Sequence, residues 1–416
     1  MKHILIIGSG ARECMIIKTL KKGPEKINIS CIGSHRNPYI DKHSLLYISD
    51  INTKTIKILM AIIGKIDFVF IGPESPLKDG LADYFELREI PCIGPMQYYA
   101  QIETSKIFAR NFIDSIHLTH YSPNYIIVDD TFNDITKIND FINDFMIRNK
   151  EIVIKKNGLC GGKGVFVQGV DFNTLDEVKD VLKGELLIEE KLEGEEFSLM
   201  SITDGNGGIR HFPPIQDYKR LNDGDLGPNT GSMGCLAFKN NSLPFLNDDE
   251  LIEAQTINSK VINELNNSGK NLGYSIGYRG VLYGSYIKTS EGLKIIEFNS
   301  RFGDPEGIIA LNLLENNFLD VCEEIKLGNL TSYLTFSQKA SLGIYMVPKT
   351  YPQASVEKYD IYIDPKLNTN NLIFGAVEKK DSHLYSRSSR SLFYFVEDDD
   401  LSRCYTKVYN DIQGIT

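Results

Sequence analysis

The first hundred residues alternate short apolar runs with longer segments of mixed polarity. The apolar runs predict strands at residues 4–7, 28–32, 67–71 and 91–93, and the mixed segments predict helices at 12–22 and 79–89. Continuous apolar strands that alternate with helices are typical of a parallel sheet covered on both faces. Such a sheet binds its ligands at the carboxyl ends of the strands, where two glycine turns stand in this sequence.

The middle and the end of the chain predict more strands than helices. Between 122 and 192, strands are expected at 125–128, 152–155, 165–168 and 186–190, with helices at 132–148 and 174–182. Further strands are expected at 196–203, 208–212, 279–287, 293–299, 340–347, 356–362 and 392–396. The predicted fold class is therefore α/β, with a Rossmann-like parallel-sheet domain first, a smaller unit after it and a mostly β tail.

Composition narrows the class of protein. The 416 residues suggest about three domains, and a hydrophobic fraction of 42% argues against disorder. The 45 basic and 55 acidic side chains give a net charge of −10. This balance disfavours a broad nucleic-acid-binding face, because contact with many phosphates needs clustered lysine and arginine. A local basic pocket for a small anion stays open.

The cysteines and the N-terminus predict a cytoplasmic protein. The seven cysteines are scattered without a CxxC pair, which favours a reducing compartment over a disulfide framework or a structural zinc site. No segment approaches the ~18 consecutive apolar residues of a membrane span, so no membrane partner is expected. The N-terminus runs directly into the first predicted strand and lacks the pattern of a secretory signal.

The first glycine turn resembles a dinucleotide-binding fingerprint and has the sequence Gly8-Ser9-Gly10-Ala11-Arg12-Glu13. Its third fingerprint position is Glu13, and the second strand ends without a carboxylate for a ribose hydroxyl, which disfavours NAD. What remains is a set of bare backbone amides at a helix N-terminus, suited to an anion such as phosphate. The alternative is a tight turn that needs glycine for its backbone. Glu74 follows a neighbouring strand and can face the same crevice.

A second glycine-rich segment joins two predicted strands of the smaller unit. Its sequence is Gly158-Leu159-Cys160-Gly161-Gly162-Lys163-Gly164, and its spacing differs from that of a Walker loop. The four glycines allow the backbone to lie over a polyphosphate, and Lys155 just before them can neutralise phosphate charge. The alternative is a plain glycine-rich turn.

The most informative stretch is 294–306, where Glu297, Asn299 and Arg301 stand at alternate positions. Alternation along a strand puts these three side chains on one face. Carboxylate and amide oxygens suit a hard cation such as Mg²⁺, which takes further ligands from nucleotide phosphates. Arg301 beside them can stabilise charge on a transferring phosphoryl group. The alternative is an amphipathic strand with a solvated polar face.

Two polar segments lie between these motifs. The acidic run at 188–198 can pair its backbone with an adenine edge and offer a carboxylate to a ribose, and its alternative is a solvated surface. The segment 216–234 is crowded with Gly, Asp, Lys and Arg, which predicts a long irregular loop. Loops of that length usually carry a function.

The order of these motifs resembles the phosphoribosylamine–glycine ligase family, whose members are ATP-grasp ligases of purine synthesis. The matching strings are GSGARE, GPESPL, GLCGGKG, EEKLEGEE, QDYKRLNDGDLGPNTGSMG and IEFNSRFGDPE. They cover residues 1–310, and the length of the chain fits the whole family pattern. DGDLGPNTG and EFNSRFGDPE are highly specific, whereas the first glycine turn is not.

The resemblance implies ATP-dependent ligation of glycine to 5-phosphoribosylamine through an acyl phosphate, with Mg²⁺ or Mn²⁺. It implies an N-terminal substrate-binding domain at 1–102, an ATP-grasp main domain at 103–121 and 193–327, a flap domain at 122–192 and a β-rich C-terminal domain at 328–416. The expected partners are small molecules, and the expected state is a monomer or a weak homodimer.

The resemblance also assigns roles to individual residues. The ATP-binding residues are Lys106, Lys155, Gly158, Gly161, Gly162, Lys163, Gly164, Glu189, Glu190, Lys191, Leu192 and Glu196. The catalytic residues are Arg301, Asp217 and Lys219, and the metal ligands are Glu297 and Asn299. The residues at the other substrates are Gly8, Gly10, Glu74, Asp225, Asn229, Thr230, Gly231 and Asp304.

The sequence departs from the family pattern at several positions. Cys14 and Tyr218 replace histidines, Ala11 replaces a glycine, and Gly307-Ile308 replaces Thr-Gln. The strand at 279–287 carries no Asp or Glu, so a third carboxylate for the metal is not expected. We expect activity to be retained with altered Michaelis constants.

Three rival functions remain at this point. The first is another ATP-grasp carboxylate–amine ligase or a carboxylase, and segment 216–234 favours the glycine ligase over both. The second is a nicotinamide-dependent oxidoreductase built on the first glycine turn. The third is a non-catalytic ATP-binding protein, which the changes at 218 and 307 leave open.

Overall fold

The described part of the chain forms five sheets with helices packed against them. The structure is a computed structural model, and it describes residues 1–129, 135–148, 150–161, 164–178, 182–353 and 357–416. Within these ranges, no helix is long and apolar enough to cross a membrane. Parallel and antiparallel sheets occur in separate regions, which confirms the predicted α/β fold class.

The N-terminal region is a parallel sheet covered by helices on both faces. Its elements are β1 (Lys2–Ile7), α1 (Ala11–Leu20), β2 (Ile27–Ile32), α2 (Pro38–His43), β3 (Leu46–Ile48), α3 (Thr53–Ile63), β4 (Phe68–Ile71), α4 (Glu74–Lys78), α5 (Leu81–Glu86), β5 (Cys92–Ile93) and α6 (Gln97–Thr104). The strand order is β3-β2-β1-β4-β5, and the pairs are all parallel. Alternate residues of β1 enter two separate cores, as a doubly covered sheet requires.

One predicted helix of this region is shorter than expected. The helix predicted at 79–89 is α5 at Leu81–Glu86, and a separate helix, α4, precedes it at Glu74–Lys78. Gly80 separates them because its φ of +73° lies in the left-handed region, which interrupts a right-handed helix.

The smaller unit is an antiparallel sheet with one long helix. It follows α7 (Lys106–Ser115) and contains β6 (Tyr125–Val128), α8 (Ile135–Ile147), β7 (Ile152–Lys156), β8 (Val165–Val167) and β9 (Leu186–Glu190), in the order β6-β9-β7-β8. Where a helix is predicted at 174–182, the structure has a single 3₁₀ turn at Leu175–Val178. Glu177 bends back onto the amide of Asn173 at 3.0 Å, which closes the turn locally, and residues 179–181 lie outside the described ranges.

A second antiparallel sheet carries the strand of Glu297 and Asn299, β15 below, which we call the carboxylate strand. The elements here are β10 (Glu195–Asp204), β11 (Ile209–His211), β12 (Gln216–Asn222), β13 (Leu226–Ala237), α9 (Asp248–Asn271), β14 (Arg279–Thr289), β15 (Gly292–Asn299), α10 (Glu306–Leu313) and α11 (Phe318–Lys326). The sheet has the order β11-β10-β14-β15. Helix α9 packs on β10 and β14 through Ile257, Val261 and Leu265, which recur every four residues and so lie on one face.

The prediction of an irregular loop at 216–234 is wrong, because this segment lies in the hairpin formed by β12 and β13. The two strands pair antiparallel with register shifts at Tyr218/Arg220 and Arg220/Asn222. Most of the side chains of β12 are half-buried and polar. A strand whose side chains line a polar cavity lacks the apolar alternation that marks a strand in sequence.

The tail is mostly β, as predicted, and ends in a helix. Its elements are β16 (Ala340–Met346), β17 (Asp360–Ile361), β18 (Leu372–Phe374), β19 (Val377–Lys380), β20 (His383–Ser386), β21 (Leu392–Asp398) and α12 (Leu401–Asp411). One sheet has the order β12-β13-β16-β21-β18 and the other β17-β20-β19. The tail strands therefore extend the hairpin sheet, and this pairing holds the hairpin beside the carboxylate strand. The strand predicted at 356–362 is only Asp360–Ile361, and 354–356 lie outside the described residues.

Candidate active site

A cavity of about 1080 Å³ lies between the smaller unit, the carboxylate strand and the hairpin. The structure brings most of the predicted site residues together around it. Those that line it are Glu74, Lys106, Lys155, Gly158, Gly161, Gly164, Glu189, Glu190, Lys191, Leu192, Glu196, Asp217, Lys219, Asp225, Asn229, Thr230, Gly231, Glu297, Asn299, Arg301 and Asp304. Gly162 and Lys163 lie outside the described residues, and Gly8 and Gly10 are not among the described lining residues.

The first glycine turn is filled by the protein's own carboxylate. The amide of Gly10 donates to Glu13 Oε2 at 2.5 Å, so the prediction of a bare amide there is wrong. A Cβ on Gly72 would meet Glu13 Oε1 at 1.9 Å, which shows how closely this side chain fills the turn. Burial raises the pKa of Glu13. The side chain of Glu13, at the third fingerprint position, therefore occupies the amide of Gly10.

Lysines from three elements surround Glu297 on β15. Burial by itself would raise the pKa of Glu297, but Lys155, Lys106 and Lys219 outweigh it and hold this pKa below its usual range. Lys106 at the start of α7 also donates to the carbonyl of Gly158 at 3.1 Å, which fixes the start of the glycine-rich segment. Glu297 is therefore an ionised carboxylate stabilised by three lysines of the cavity, an arrangement that suits phosphate groups together with a cation.

Glu189, at the end of β9, is a buried anion between two cations. It forms an ion pair with Lys155 on β7, and Arg110 on α7 lies 2.6 Å from its Oε1. Arg110 was not predicted. The spacing of four residues from Lys106 on one helix face was the available signal.

Arg301 stands between two acidic side chains at the end of the carboxylate strand. Its Nη2 lies 2.9 Å from Glu103 Oε1, and its Nε lies 3.6 Å from Glu74 Oε2. Glu103, at the end of α6, also accepts from the amide and the hydroxyl of Ser300 at 2.8 Å. Arg301 donates to Asn299 Oδ1 at 3.1 Å, which links it to the predicted metal ligands. Nothing in the sequence near Glu103 indicated this contact, because it depends on how α6 packs on β15.

The hairpin contributes two charged side chains that lie next to each other, Asp217 and Lys219. Burial raises the pKa of Asp217 to about 7, with Glu306 and Glu196 adding to the rise and Lys219 opposing it. Lys219 Nζ lies 2.5 Å from Glu196 and 4.0 Å from Asp217. Burial would lower the pKa of Lys219, but these carboxylates raise it above its usual value. The cavity thus holds a proton acceptor poised near neutrality beside a permanent cation.

The tail supplies one cation to the cavity. Arg390 lies 3.1 Å from Asp304 Oδ2 and donates to the carbonyls of Asp304 at 2.6 Å and of Ser232 at 3.1 Å. Its guanidinium lies over the ring of Tyr345, whose hydroxyl bonds to Asp304. Arg390 was missed because its partners are distant in sequence.

The family departures lie in different surroundings. Tyr218 lines the cavity and is 47% exposed, so it is accessible to a ligand. A Cβ on Gly307 would lie 2.8 Å from the Cβ of Phe302, so this glycine permits the packing of α10 against the turn after the carboxylate strand. Cys14 is buried, and all seven cysteines are free.

Comparisons with known proteins agree with this geometry. Residues 2–103 match the family model for the phosphoribosylglycinamide synthetase N domain, and residues 104–307 match the model for its ATP-grasp (A) domain. The chain is 35% identical over 396 residues to a phosphoribosylamine–glycine ligase of Methanocella arvoryzae, covering 94% of this chain and 88% of the relative. It is 37% identical over 405 residues to the ligase of Methanococcus maripaludis, with coverages of 93% and 88%.

The fold agrees as well. A crystal structure of the phosphoribosylamine–glycine ligase of Thermotoga maritima superposes with a TM-score of 0.78 at 22% identity, over 100% of this chain and 97% of that one. These matches cover both the sheet domain and the cavity, and they confirm the resemblance in the motifs. The chain therefore belongs to the phosphoribosylamine–glycine ligase family of ATP-dependent carbon–nitrogen ligases with the ATP-grasp fold.

Proposed function

We propose that this chain joins glycine to 5-phosphoribosylamine in purine synthesis and uses ATP for the reaction. The carboxylate of glycine takes the terminal phosphoryl group of ATP, which gives glycyl phosphate and ADP. The amine then attacks the acyl carbon, forms the amide bond, displaces phosphate and gives up a proton. The observation that carries this proposal is the convergence of Lys106, Lys155 and Lys219 on the ionised Glu297 within one cavity.

ATP is assigned to the side of the cavity next to the smaller unit. We assign segment 189–192, at the end of β9, to the adenine and Glu196 to the ribose. We assign Lys106, Lys155 and the described amides of the glycine-rich segment to the phosphates, and the same role predicted for Gly162 and Lys163 falls outside the described residues. Gly158 and Gly161 support this assignment, because both have positive φ values and a Cβ on either would meet nothing within 4 Å, so the backbone lies open to a ligand.

A divalent cation, Mg²⁺ or Mn²⁺, is assigned to Glu297 and Asn299. Among the described residues no cluster of three His, Cys, Asp or Glu side chains can hold a metal alone. One ionised carboxylate and one amide oxygen still fit Mg²⁺, which commonly takes few protein ligands and completes its shell with phosphates and water. When bound there, the cation would neutralise charge on the phosphates.

The remaining residues are assigned to the reacting groups. Arg301, held by Glu103, donates to the oxygens of the phosphoryl group as it moves. Asp217 accepts the proton that the amine loses, since its pKa of about 7 suits a base at neutral pH. Lys219 lies beside it and stabilises the carboxylate of glycine.

The pocket for glycine and phosphoribosylamine is assigned to the far end of the cavity. Glu74 comes from the sheet domain and Asp304 from the turn after the carboxylate strand. The hairpin provides the other assigned residues, Asp225, Asn229, Thr230 and Gly231. Support comes from Arg390, because it holds Asp304 against the hairpin carbonyls and so closes this end of the cavity. Gly8 and Gly10 shape this pocket from behind, through Glu13.

The division into four units, the cytoplasmic location and a monomeric or weakly dimeric state belong to the same proposal. The free cysteines support a reducing compartment. The sheet orders support a separate smaller unit, since β6 to β9 pair only among themselves within the described residues.

The test is ADP release with glycine and freshly generated phosphoribosylamine. We expect turnover that requires both substrates and yields glycinamide ribonucleotide by mass spectrometry. Turnover with bicarbonate, without any need for phosphoribosylamine, would instead identify a carboxylase with the same fold. ADP release that needs neither acceptor would contradict both assignments.

A further inference from the structure

Arg110 is a buried cation that the assignments above leave without a role. It stands on α7, and the residue is 3% exposed. Its Nε donates to Glu189 Oε1 at 2.7 Å, and its Nη2 donates to the carbonyl of Ile296 at 3.0 Å. Its Nη1 reaches the hydroxyl of Ser122 and the carbonyl of Ile295, each at 3.4 Å. These partners belong to the start of the smaller unit, its last strand and the carboxylate strand.

The contacts leave Arg110 no free donor for a ligand. A guanidinium has five N–H groups. One is on Nε, and the two on each of Nη1 and Nη2 are matched by Glu189, Ser122 and the carbonyls of Ile295 and Ile296. Arg110 lines the cavity together with Glu189 and Lys155, so it acts there through its charge and through the groups that it holds.

The first of these groups is Glu189. Burial by itself would raise the pKa of Glu189, but Arg110 and Lys155 outweigh burial and keep this pKa below its usual value. One carboxylate between two cations leaves a net charge of +1, and Lys155 lines the cavity. Without Arg110, the charge of Glu189 would cancel that of Lys155.

The second group is a bulge in the carboxylate strand. Ser285 pairs with Glu297 and Tyr286 pairs with Ile295, so Ile296 is an extra residue between them. A bulge redirects the side chains next to it and is common beside active sites. Arg110 binds the carbonyl of the extra residue, immediately before Glu297.

We propose that Arg110 is a positioning residue. It balances Glu189 so that this group of three charges, which includes Lys155, keeps a net charge of +1 beside the phosphates of ATP, and it fixes the bulge that directs Glu297 into the cavity. The inference rests on the proposed contact between Lys155 and phosphate.

The test is a charge-rescue cycle with the variants Arg110→Met, Glu189→Gln and the double variant. The inhibition constants of ADP and of adenosine, each competing with ATP, are measured for every enzyme. We expect Arg110→Met to raise the inhibition constant of ADP by about tenfold or more, because one net charge near the phosphates is lost. The inhibition constant of adenosine should change by less than about twofold. The double variant should bind ADP at least about threefold more tightly than Arg110→Met, because glutamine does not cancel Lys155. Glu189 also stands in the segment assigned to the adenine, so the adenosine constant of Glu189→Gln shows any separate change there.

Other outcomes would overturn the inference. If the double variant binds ADP as weakly as Arg110→Met does, Arg110 acts only by supporting the structure. The same conclusion follows if Arg110→Met weakens the binding of adenosine as much as that of ADP. Arg110→Lys keeps the charge, so its inhibition constant for ADP should lie within about threefold of that of the parent. A loss of ADP affinity as large as that in Arg110→Met would contradict the charge argument. This variant also decides the question if Arg110→Met does not fold.

Two controls separate this inference from the proposed function. Lys155→Met should weaken the binding of ADP. If the inhibition constant of ADP is unchanged in this variant, the assignment of Lys155 to the phosphates is wrong, whatever the role of Arg110. Arg279 forms another buried ion pair, with Glu86 at 2.8 Å, and neither residue is among the described residues that line the cavity. Arg279→Met should lower the melting temperature and leave the ADP constant within about twofold of the parent.

Discussion

The pair formed by Arg301 and Glu103 gives a direct test of the electrostatics of the site. Arg301 Nη2 lies 2.9 Å from Glu103 Oε1, and their side chains are 18% and 5% exposed. Replacement of Arg301 by methionine removes the counter-ion and leaves Glu103 buried. Loss of one partner of a buried ion pair costs about 3–5 kcal/mol, so we expect a loss of about 4 kcal/mol in the free energy of unfolding at a pH of about 8.

The loss has a defined dependence on pH. Burial raises the pKa of Glu103, and Arg301 opposes this rise. Without Arg301 the pKa rises further, so the folded variant holds a proton that the unfolded chain has released. The stability of the variant therefore falls as the pH increases from the unfolded pKa of about 4.3 to the new folded pKa, by up to about 1.4 kcal/mol per pH unit.

The assay is urea unfolding at pH values of about 6 and about 8, compared with the parent at each pH. Circular dichroism is the suitable probe because the chain has no tryptophan. The control is the double variant Glu103→Gln/Arg301→Met, in which Glu74 is the carboxylate that remains beside this position, so the added pH dependence should become smaller. An equal loss at both pH values in Arg301→Met would refute the reasoning, as would a slope in the double variant as large as that in Arg301→Met.

Three further predictions concern the metal ligand, the base and the first glycine turn. Glu297→Ala should abolish ADP release while the circular dichroism spectrum is unchanged, and retained turnover would contradict the metal assignment. Because burial raises the pKa of Asp217 to about 7 and the ionised form is the base, kcat/KM should rise as the pH passes through this value. Asp217→Asn should remove this rise of kcat/KM with pH, and a pH profile identical to that of the parent would contradict the role of Asp217 as the base. Gly8→Ala should lower the free energy of unfolding by about 2–4 kcal/mol, because φ is +113° and the new Cβ would lie 2.6 Å from the Cδ of Glu13. Gly158→Ala, with a φ of +86° and nothing within 4 Å, should cost only about 1 kcal/mol, and equal losses in urea unfolding would contradict the steric argument.

Local sequence patterns were sufficient for most of the strands and for much of the site. The apolar runs of the N-terminal sheet and the alternation of Glu297 with Asn299 are properties of neighbouring residues, and both are found as predicted. The hairpin at 216–237 escaped prediction because its side chains face a polar cavity and its pairing partner, β16, lies more than a hundred residues away.

The first glycine turn shows a different limit. Its position between a strand and a helix was readable, but its use was not, because the side chain of Glu13 turns back onto the amide of Gly10. A bare turn and a filled turn have the same glycines. Which of them forms depends on whether a neighbouring side chain reaches the amides before a ligand does.

The sequence by itself determined most of the strands, the family and the types of side chain available for phosphate and metal. The tertiary structure alone decided which charges face each other. Arg110 meets Glu189 across 79 positions and Arg390 meets Asp304 across 86, so no local pattern could pair them. The physical reason is that burial makes the energy of a charge depend on its nearest partners, and in a folded chain those partners come from distant segments.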